Sequence, residues 1–408
     1  MPPVRETFAP IHYRMRFPAL DGLRALPVTM VFAFHYGGGS ASGPLLHNVT
    51  LMRLTGWTAL NLFFTLSGFL ITGVLYDTRH DSHFFKRFYA RRVLRIFPVF
   101  YLLALVLLAL TPVFHYAWRP QHLLFLVYVG NFAAALMPSL YQVHARFPAA
   151  NLYIGHLWTL CVEEQFYLLW PLLVWSVKDR VKLIWTAAGL SMIAVGLRVW
   201  LVYGVHSDLR GGWLLTMLPF HLDGLLIGAI LALLMRGEAV GRWQRRARWM
   251  FVAGVAGLGV GYALDLYGWV PTVGFPLSAL TCVGLIGWGL IPDSLAGRVL
   301  GLRPLRVFGR CSYGFYVYHL PFAAAWAALA RFVGQRLHSG HWGYVIVMAA
   351  NFGISFLVAR LSYDYFESPI LRRKRFFEYD DEQRAKAAGR TMLGKNQFSG
   401  MNPPNVFE

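Results

Sequence analysis

Charge is what this sequence has least of. Only 14% of its 408 residues are Asp, Glu, Lys or Arg, while 57% are hydrophobic and the mean hydropathy is +0.47. Soluble domains carry about a quarter charged residues, so water is not the solvent this composition fits. Acidic residues are rarer still, 19 against 38 Lys and Arg, which leaves a net charge of +19. No zinc-finger, basic-zipper or other recognition pattern accompanies that charge, which argues against a nucleic-acid partner. Cysteine is almost missing: Cys161, Cys282 and Cys311 lie far apart in or near apolar segments, which excludes a disulfide framework and a Cys-based metal site. No metal is expected. A fixed-period repeat of the kind many transporters show is lacking as well. The N-terminal MPPVRETFAPIHYRMRFPAL has no cleavage-type signal, so the first apolar stretch is expected to be retained.

What the chain does have is apolar windows of membrane-crossing length. They lie near 19–37, 54–76, 93–113, 122–138, 157–177, 183–204, 213–235, 249–269, 272–291, 312–333 and 343–366. A helix of roughly 20 apolar residues spans the hydrocarbon core. The window at 122–138 is short and carries Asn131, so it reads as re-entrant or interfacial. Charge sorts the remaining loops. Arg79, Lys86, Arg87, Arg91, Arg92 and Arg95 form one basic loop, Lys178, Arg180 and Lys182 the next, and Arg242, Arg245, Arg246 and Arg248 a third. Arg298, Arg303, Arg306 and Arg310 follow, and then Arg372, Arg373, Lys374 and Arg375. Cytoplasmic loops hold the excess of Lys and Arg, and about ten crossings with both termini inside put every one of these loops on that side. The expectation is an all-α integral membrane protein of the cell (inner) membrane. A cytoplasmic segment at 1–16 precedes a multi-pass domain at 17–375, and a polar, unstructured cytoplasmic tail occupies 376–408.

Ionisable residues kept inside apolar helices mark function by default. Arg24 and His35 share the first window eleven positions apart, which puts them on nearly one helix face, separated by roughly 16 Å along the axis. Asp21 is close enough in sequence to pair with Arg24. Histidine suits proton exchange near neutral pH, so His35 is a candidate general base; its other reading is a structural histidine bonded to a carbonyl. Glu163 and Glu164 are adjacent in an otherwise apolar helix and face different neighbours, with His156 seven positions earlier on roughly the face of Glu163. They either orient a histidine, pair with an arginine, or hold helices together. Asp223 and His319 sit in apolar helices with no partner evident in the sequence, and read first as packing residues or as supports for groups that touch substrate. The patch KRFYARRVLRIFP sets Arg91, Arg92 and Arg95 at helical spacings next to Lys86 and Arg87. Guanidinium forks at such spacing suit a polyphosphate, and the same charges also suit anchoring and acidic-lipid contact.

Taken in order, FPALDGLRALPVTMVFAFHYGG, GWTALNLFFTLSGFLITGVL, FFKRFYARRVLRIFPVFYLL, GHLWTLCVEEQFYLLWPLL, FHLDGLLIGAILALL, SYGFYVYHLP and YDYFESPILRR resemble the membrane-bound acyltransferase family 3, typified by O-antigen and exopolysaccharide O-acetyltransferases. The resemblance covers roughly residues 16–375. It implies transfer of an acyl group, usually acetyl, from cytoplasmic acyl-CoA to a hydroxyl of a carbohydrate. The family's Arg and His signature falls on Arg24 and His35, its donor-associated arginine pair on Arg92 and Arg95, its paired glutamates on Glu163 and Glu164, and its late glutamate on Glu367. Asn61 replaces an acidic residue usual before LFF. Members with an attached esterase-like domain have a long C-terminal extension, and none follows here, so transfer is expected to be completed by the membrane domain or by a separate partner.

The mechanism expected from these residues docks acyl-CoA phosphates on Lys86, Arg87, Arg91, Arg92 and Arg95 and brings the thioester past Arg24 to His35. Glu163 or Glu164 would hold the imidazole, Asn61 or Ser67 would donate to the oxyanion, and Asp21, His156, Asp223 and His319 would line the substrate path. The rival reading is a transporter or flippase for a lipid-linked sugar, with the buried charges as a proton relay.

Overall fold

The structure is a computed structural model that describes residues 11–15, 17–36, 49–204, 216–237, 240–264, 268–291, 293–380, 382 and 383. The N-terminal residues 1–10, most of the 204–212 loop and the tail from 384 lie outside the described residues. The described chain is helical apart from one two-residue antiparallel pair, Gln142–Val143 with Leu152–Tyr153. Six helical stretches are long and apolar enough to cross a membrane: Gly56–Thr78, Phe84–Ala109, Arg180–Gly204, Gly241–Leu264, Val270–Gly289 and Gly340–Phe377. Shorter apolar helices accompany them, and the whole is a multi-pass membrane protein. Outward-facing Leu105, Leu168, Met192, Val260 and Leu357 suit contact with lipid chains.

Three of the other windows are broken, each for a local reason. The first divides into α1, Pro18–Leu23, and α2, Ala25–Tyr36, with the break at Arg24. Pro27 lacks an N–H for the Leu23 carbonyl and its ring crowds that position, so the helix loosens there. The stretch at 122–138 breaks into short turns around the helix Gly130–Leu136, matching the short extra segment expected of it. Asn131 is fully buried there, donating to the Thr216 carbonyl at 2.7 Å and accepting from Gln165 at 2.9 Å. The window at 312–333 divides at Pro321.

Helix α3, Val49–Thr78, is the central one, with α5, Trp158–Ser176, alongside it, while α4, Phe84–Ala109, packs against the turns at 368–377 and faces outward over much of its length. The glycine-spaced α7, Leu222–Leu234, backs onto α3, and α6, Arg180–Val199, packs on α7. A Cβ on Gly68 would lie 1.8 Å from the Leu225 carbonyl oxygen, and one on Gly228 2.0 Å from that of Thr65. Only glycine lets these backbones approach so closely, the small-residue packing that membrane helices use in place of a hydrophobic driving force.

The basic turns meet at one end. Tyr13 donates its amide to Asp77, Asp77 holds Arg236 through two bonds of 2.6 Å, Ile11 bonds the Met235 carbonyl and Arg180 that of Leu233. Residues 376–380, 382 and 383 differ from the unstructured tail expected of them. Tyr379 is buried, Glu382 pairs with Arg91 at 2.9 Å, and Asp380 bonds Arg87 and the Ser82 amide at the start of α4. An aromatic ring and two carboxylates answer the arginines there.

Candidate active site

A cavity of about 490 Å³ runs through the centre of the helices. One end is lined by the strand of chain at Ile11–Tyr13, by Gly73 and Val74 late in α3, and by Arg236. The other end reaches Phe34, His35, Trp57, His156 and Trp158, and between them lie Arg24, Ser67, Arg92, Arg95, Glu163, Glu164 and Tyr167. The volume is in the range of small-molecule sites, and its walls are mostly apolar with a few convergent polar groups.

Arg24, Arg92 and Arg95 lie close enough for each to act on the others' charge. Four carboxylates stand near them. Asp21 accepts from Arg24 at 3.1 Å, and Glu367, buried beyond Arg95, is coupled to it. Lys374, on the turn that packs against α4, brings a fourth basic side chain within electrostatic range of all three arginines. It was legible only as one more basic residue of the tail. Arg92 lies 5.6 Å from the Tyr167 ring centroid and is coupled to both glutamates. Glu163 is held near Ser67 and Tyr167, whose hydroxyls bond each other. Tyr167 stands four residues after Glu163 on α5, a helical spacing that could have nominated it. Glu164 keeps one buried oxygen with no hydrogen-bond partner among the described residues.

At the far end three imidazoles gather. His35 Nδ1 lies 3.0 Å from His319 Nε2, with ring centroids 5.2 Å apart, and His156 stands 5.2 Å from His319 on another side. The cause is the end of the helix Ser312–Tyr318. Pro321 cannot donate to the Val317 carbonyl, and that carbonyl is taken instead by His156 Nε2 at 3.2 Å. His319 Nδ1 bonds the Tyr316 carbonyl at 2.7 Å, and its own carbonyl accepts from the Tyr36 hydroxyl at 2.7 Å. His156 Nδ1 has no partner among the described residues.

Several expected site residues stand elsewhere. Arg87 and Arg91 are committed to Asp81, Asp380 and Glu382, and Lys86 is exposed outside the cavity, so of the expected basic patch Arg92 and Arg95 are the members that line the cavity. Asn61 is buried between helices, bonded to the Trp57 carbonyl and packed on Gly224, which leaves Ser67 as the one of the two expected oxyanion donors in the cavity wall. Asp223 is not a substrate contact: it holds the fully buried Arg198 in a two-pronged ion pair, a partner 25 positions away on α6. The group touching His35 Nδ1 is His319 and not a glutamate. Among the described residues no cluster of three or more His, Cys, Asp and Glu is arranged to hold a metal ion.

The profile of the acyltransferase domain of family 3 matches residues 17–360. The chain belongs to this family. Its sequence is 27% identical over 375 residues to the O-acetyltransferase OatA of Staphylococcus aureus, covering 88% of this chain and 58% of that protein. It is 26% identical over 382 residues to the peptidoglycan O-acetyltransferase OatA of Listeria monocytogenes, covering 90% and 57%. The chain thus spans a little over half the length of these acyltransferase 3 relatives. No solved structure matches it. The match carries the family across the whole helical region that encloses the cavity, from α1 to within Gly340–Ser362.

Proposed function

We propose that this chain transfers an acyl group, acetyl foremost, from acyl-CoA to a hydroxyl of a carbohydrate, with His35 as the general base. The observation that carries the reading is one continuous cavity that joins a cluster of arginines to an imidazole. Arg92 and Arg95, with Arg24 further in, suit the phosphates of the donor, because guanidinium forks bind phosphate oxygens in pairs. The apolar walls between them and His35 suit the pantetheine arm. The acceptor hydroxyl oxygen attacks the thioester carbonyl, its proton passes to His35, the carbon–sulfur bond breaks, and the thiolate leaves as CoA after taking up a proton. His156 Nδ1, which has no hydrogen-bond partner among the described residues, would accept a hydrogen bond from the acceptor.

Both named relatives are O-acetyltransferases and one is named for peptidoglycan, so a peptidoglycan-type glycan is the first acceptor to test. The basic turns that meet around the arginine end support a cytoplasmic donor entrance, both termini inside and about ten crossings, since Lys and Arg are retained on that side.

Acetyl-CoA binding and turnover by the full chain in nanodiscs, with soluble glycan fragments as acceptor, test this directly. Turnover in the wild type that disappears in His35→Ala while acetyl-CoA still binds is the expected result. A folded wild type that neither binds nor turns over acetyl-CoA sinks the reading and returns the chain to the transporter class.

A further inference from the structure

We propose that His319 is a positioning residue that decides which nitrogen of His35 carries the lone pair; this rests on His35 being the base. The hydrogen bonds at the end of the helix Ser312–Tyr318 dictate the assignment one step at a time. The Tyr316 carbonyl can only accept, so the His319 nitrogen 2.7 Å from it, Nδ1, carries a hydrogen. A neutral imidazole has one donor and one acceptor, so His319 Nε2 is an acceptor. His35 Nδ1, 3.0 Å from it, is therefore the donor of that bond. The remaining nitrogen of His35, Nε2, is left with its lone pair and has no partner among the described residues, on a ring that lines the cavity.

His319 itself does not line the cavity and is 1% exposed, so its action on the reaction passes through His35. Its ring is clamped. Phe315 stacks on it at 5.9 Å with an interplanar angle of 4°, and Tyr36 holds its carbonyl. A carboxylate in this place would also accept from His35 Nδ1. It would add a buried negative charge to an apolar region, which a second imidazole avoids. When His35 takes the substrate proton at Nε2, the positive ring still donates from Nδ1 to His319, so the contact survives the chemical step and strengthens as charge develops.

The test is nitrogen NMR of the full chain in nanodiscs with labelled histidine, the His35 signals being identified by their loss in His35→Asn. The wild type is expected to show His35 with a protonated Nδ1 and a bare Nε2, and His319 with the same tautomer. In His319→Phe the His35 signals should move to the opposite or a mixed tautomer. The same variant should lose roughly 100-fold or more in kcat, the scale of a general base put out of action, with KM for acetyl-CoA little changed. His319→Gln, which retains an acceptor oxygen, should keep the tautomer and most of the rate. It guards against His319→Phe simply failing to fold. A wild-type His35 protonated at Nε2, a doubly protonated His319, or a His35 tautomer indifferent to His319→Phe overturns the proposal. If the tautomers are as stated and His35→Ala still turns over, the base assignment fails while the positioning geometry stands.

Discussion

Arg198 with Asp223, and Arg24 with Arg92 and Arg95, are both sets of charged side chains among apolar helices, yet they are organised oppositely. Arg198 and Asp223 have side chains 0% and 1% exposed, meet in a two-pronged pair, and leave little charge uncompensated. Arg24, Arg92 and Arg95 stand near one another around open space, and their side chains reach into a cavity. A buried charge that is fully paired holds helices together. Under the proposed function, the arginines beside the cavity, none of them held in a two-pronged pair, would receive an anion of several charges. The difference teaches that intramembrane charge alone does not mark the site, because Asp223 satisfies that criterion as well as Arg24 does.

The largest effect that would sharpen the contrast is His35→Ala. It should lower acetyl transfer by about 10²- to 10⁴-fold, the usual contribution of a positioned acid or base, with an unchanged Tm. Rate assays beside thermal unfolding in the same detergent check this, and loss of both rate and Tm would place His35 among the structural residues. At the paired site the opposite pattern is expected. Arg198→Met or Asp223→Leu alone should destabilise by about 3–5 kcal/mol, because each strands a buried charge, whereas the double variant should recover most of that. A double variant no more stable than either single one would mean the pair does more than satisfy itself. Arg95→Ala should weaken acetyl-CoA binding by roughly tenfold, the loss of about one charge-assisted contact of 1.5 kcal/mol, and leave Tm unchanged or raised as like-charge repulsion falls. Equal affinity for acetyl-CoA in that variant would remove the arginines from the donor site.

How much of this was visible beforehand follows from the range of each interaction. The long spans at Gly56–Thr78, Phe84–Ala109 and Arg180–Gly204 were legible because a run of apolar residues is a local property. So was the placement of Arg24 and His35 in one window, although the break at Arg24 needed the effect of Pro27 to be followed back one turn. Glu163 and Glu164 were legible as buried carboxylates, and both line the cavity. Contacts between distant helices were not legible. His35 meets His319 across 284 positions, and no pattern in either segment names the other. Arg87 and Arg91 read as phosphate ligands by spacing alone, since nothing local says that Asp380 and Glu382 return to occupy them.

The smallest expected effect concerns that return. Asp380 lies outside the apolar spans, and the Arg87 guanidinium, followed by the Ser82 amide, holds its carboxyl well below the usual carboxylate range. A carboxylate whose folded-state value is depressed contributes stability that is present above its unfolded value and lost as pH falls through the folded one. Docking of residues 378–383 on α4 should therefore be constant from neutral pH down to about pH 5 and should loosen only below the ordinary Asp value of about 3.9. Asp380→Asn should remove this acid dependence and loosen the segment slightly at neutral pH, since exposed ion pairs contribute little. Amide exchange at 378–383, measured from pH 7 to pH 3 after correction for intrinsic rates, reads both effects. Loosening already at pH 6 in the wild type would mean that a group other than Asp380 governs the contact.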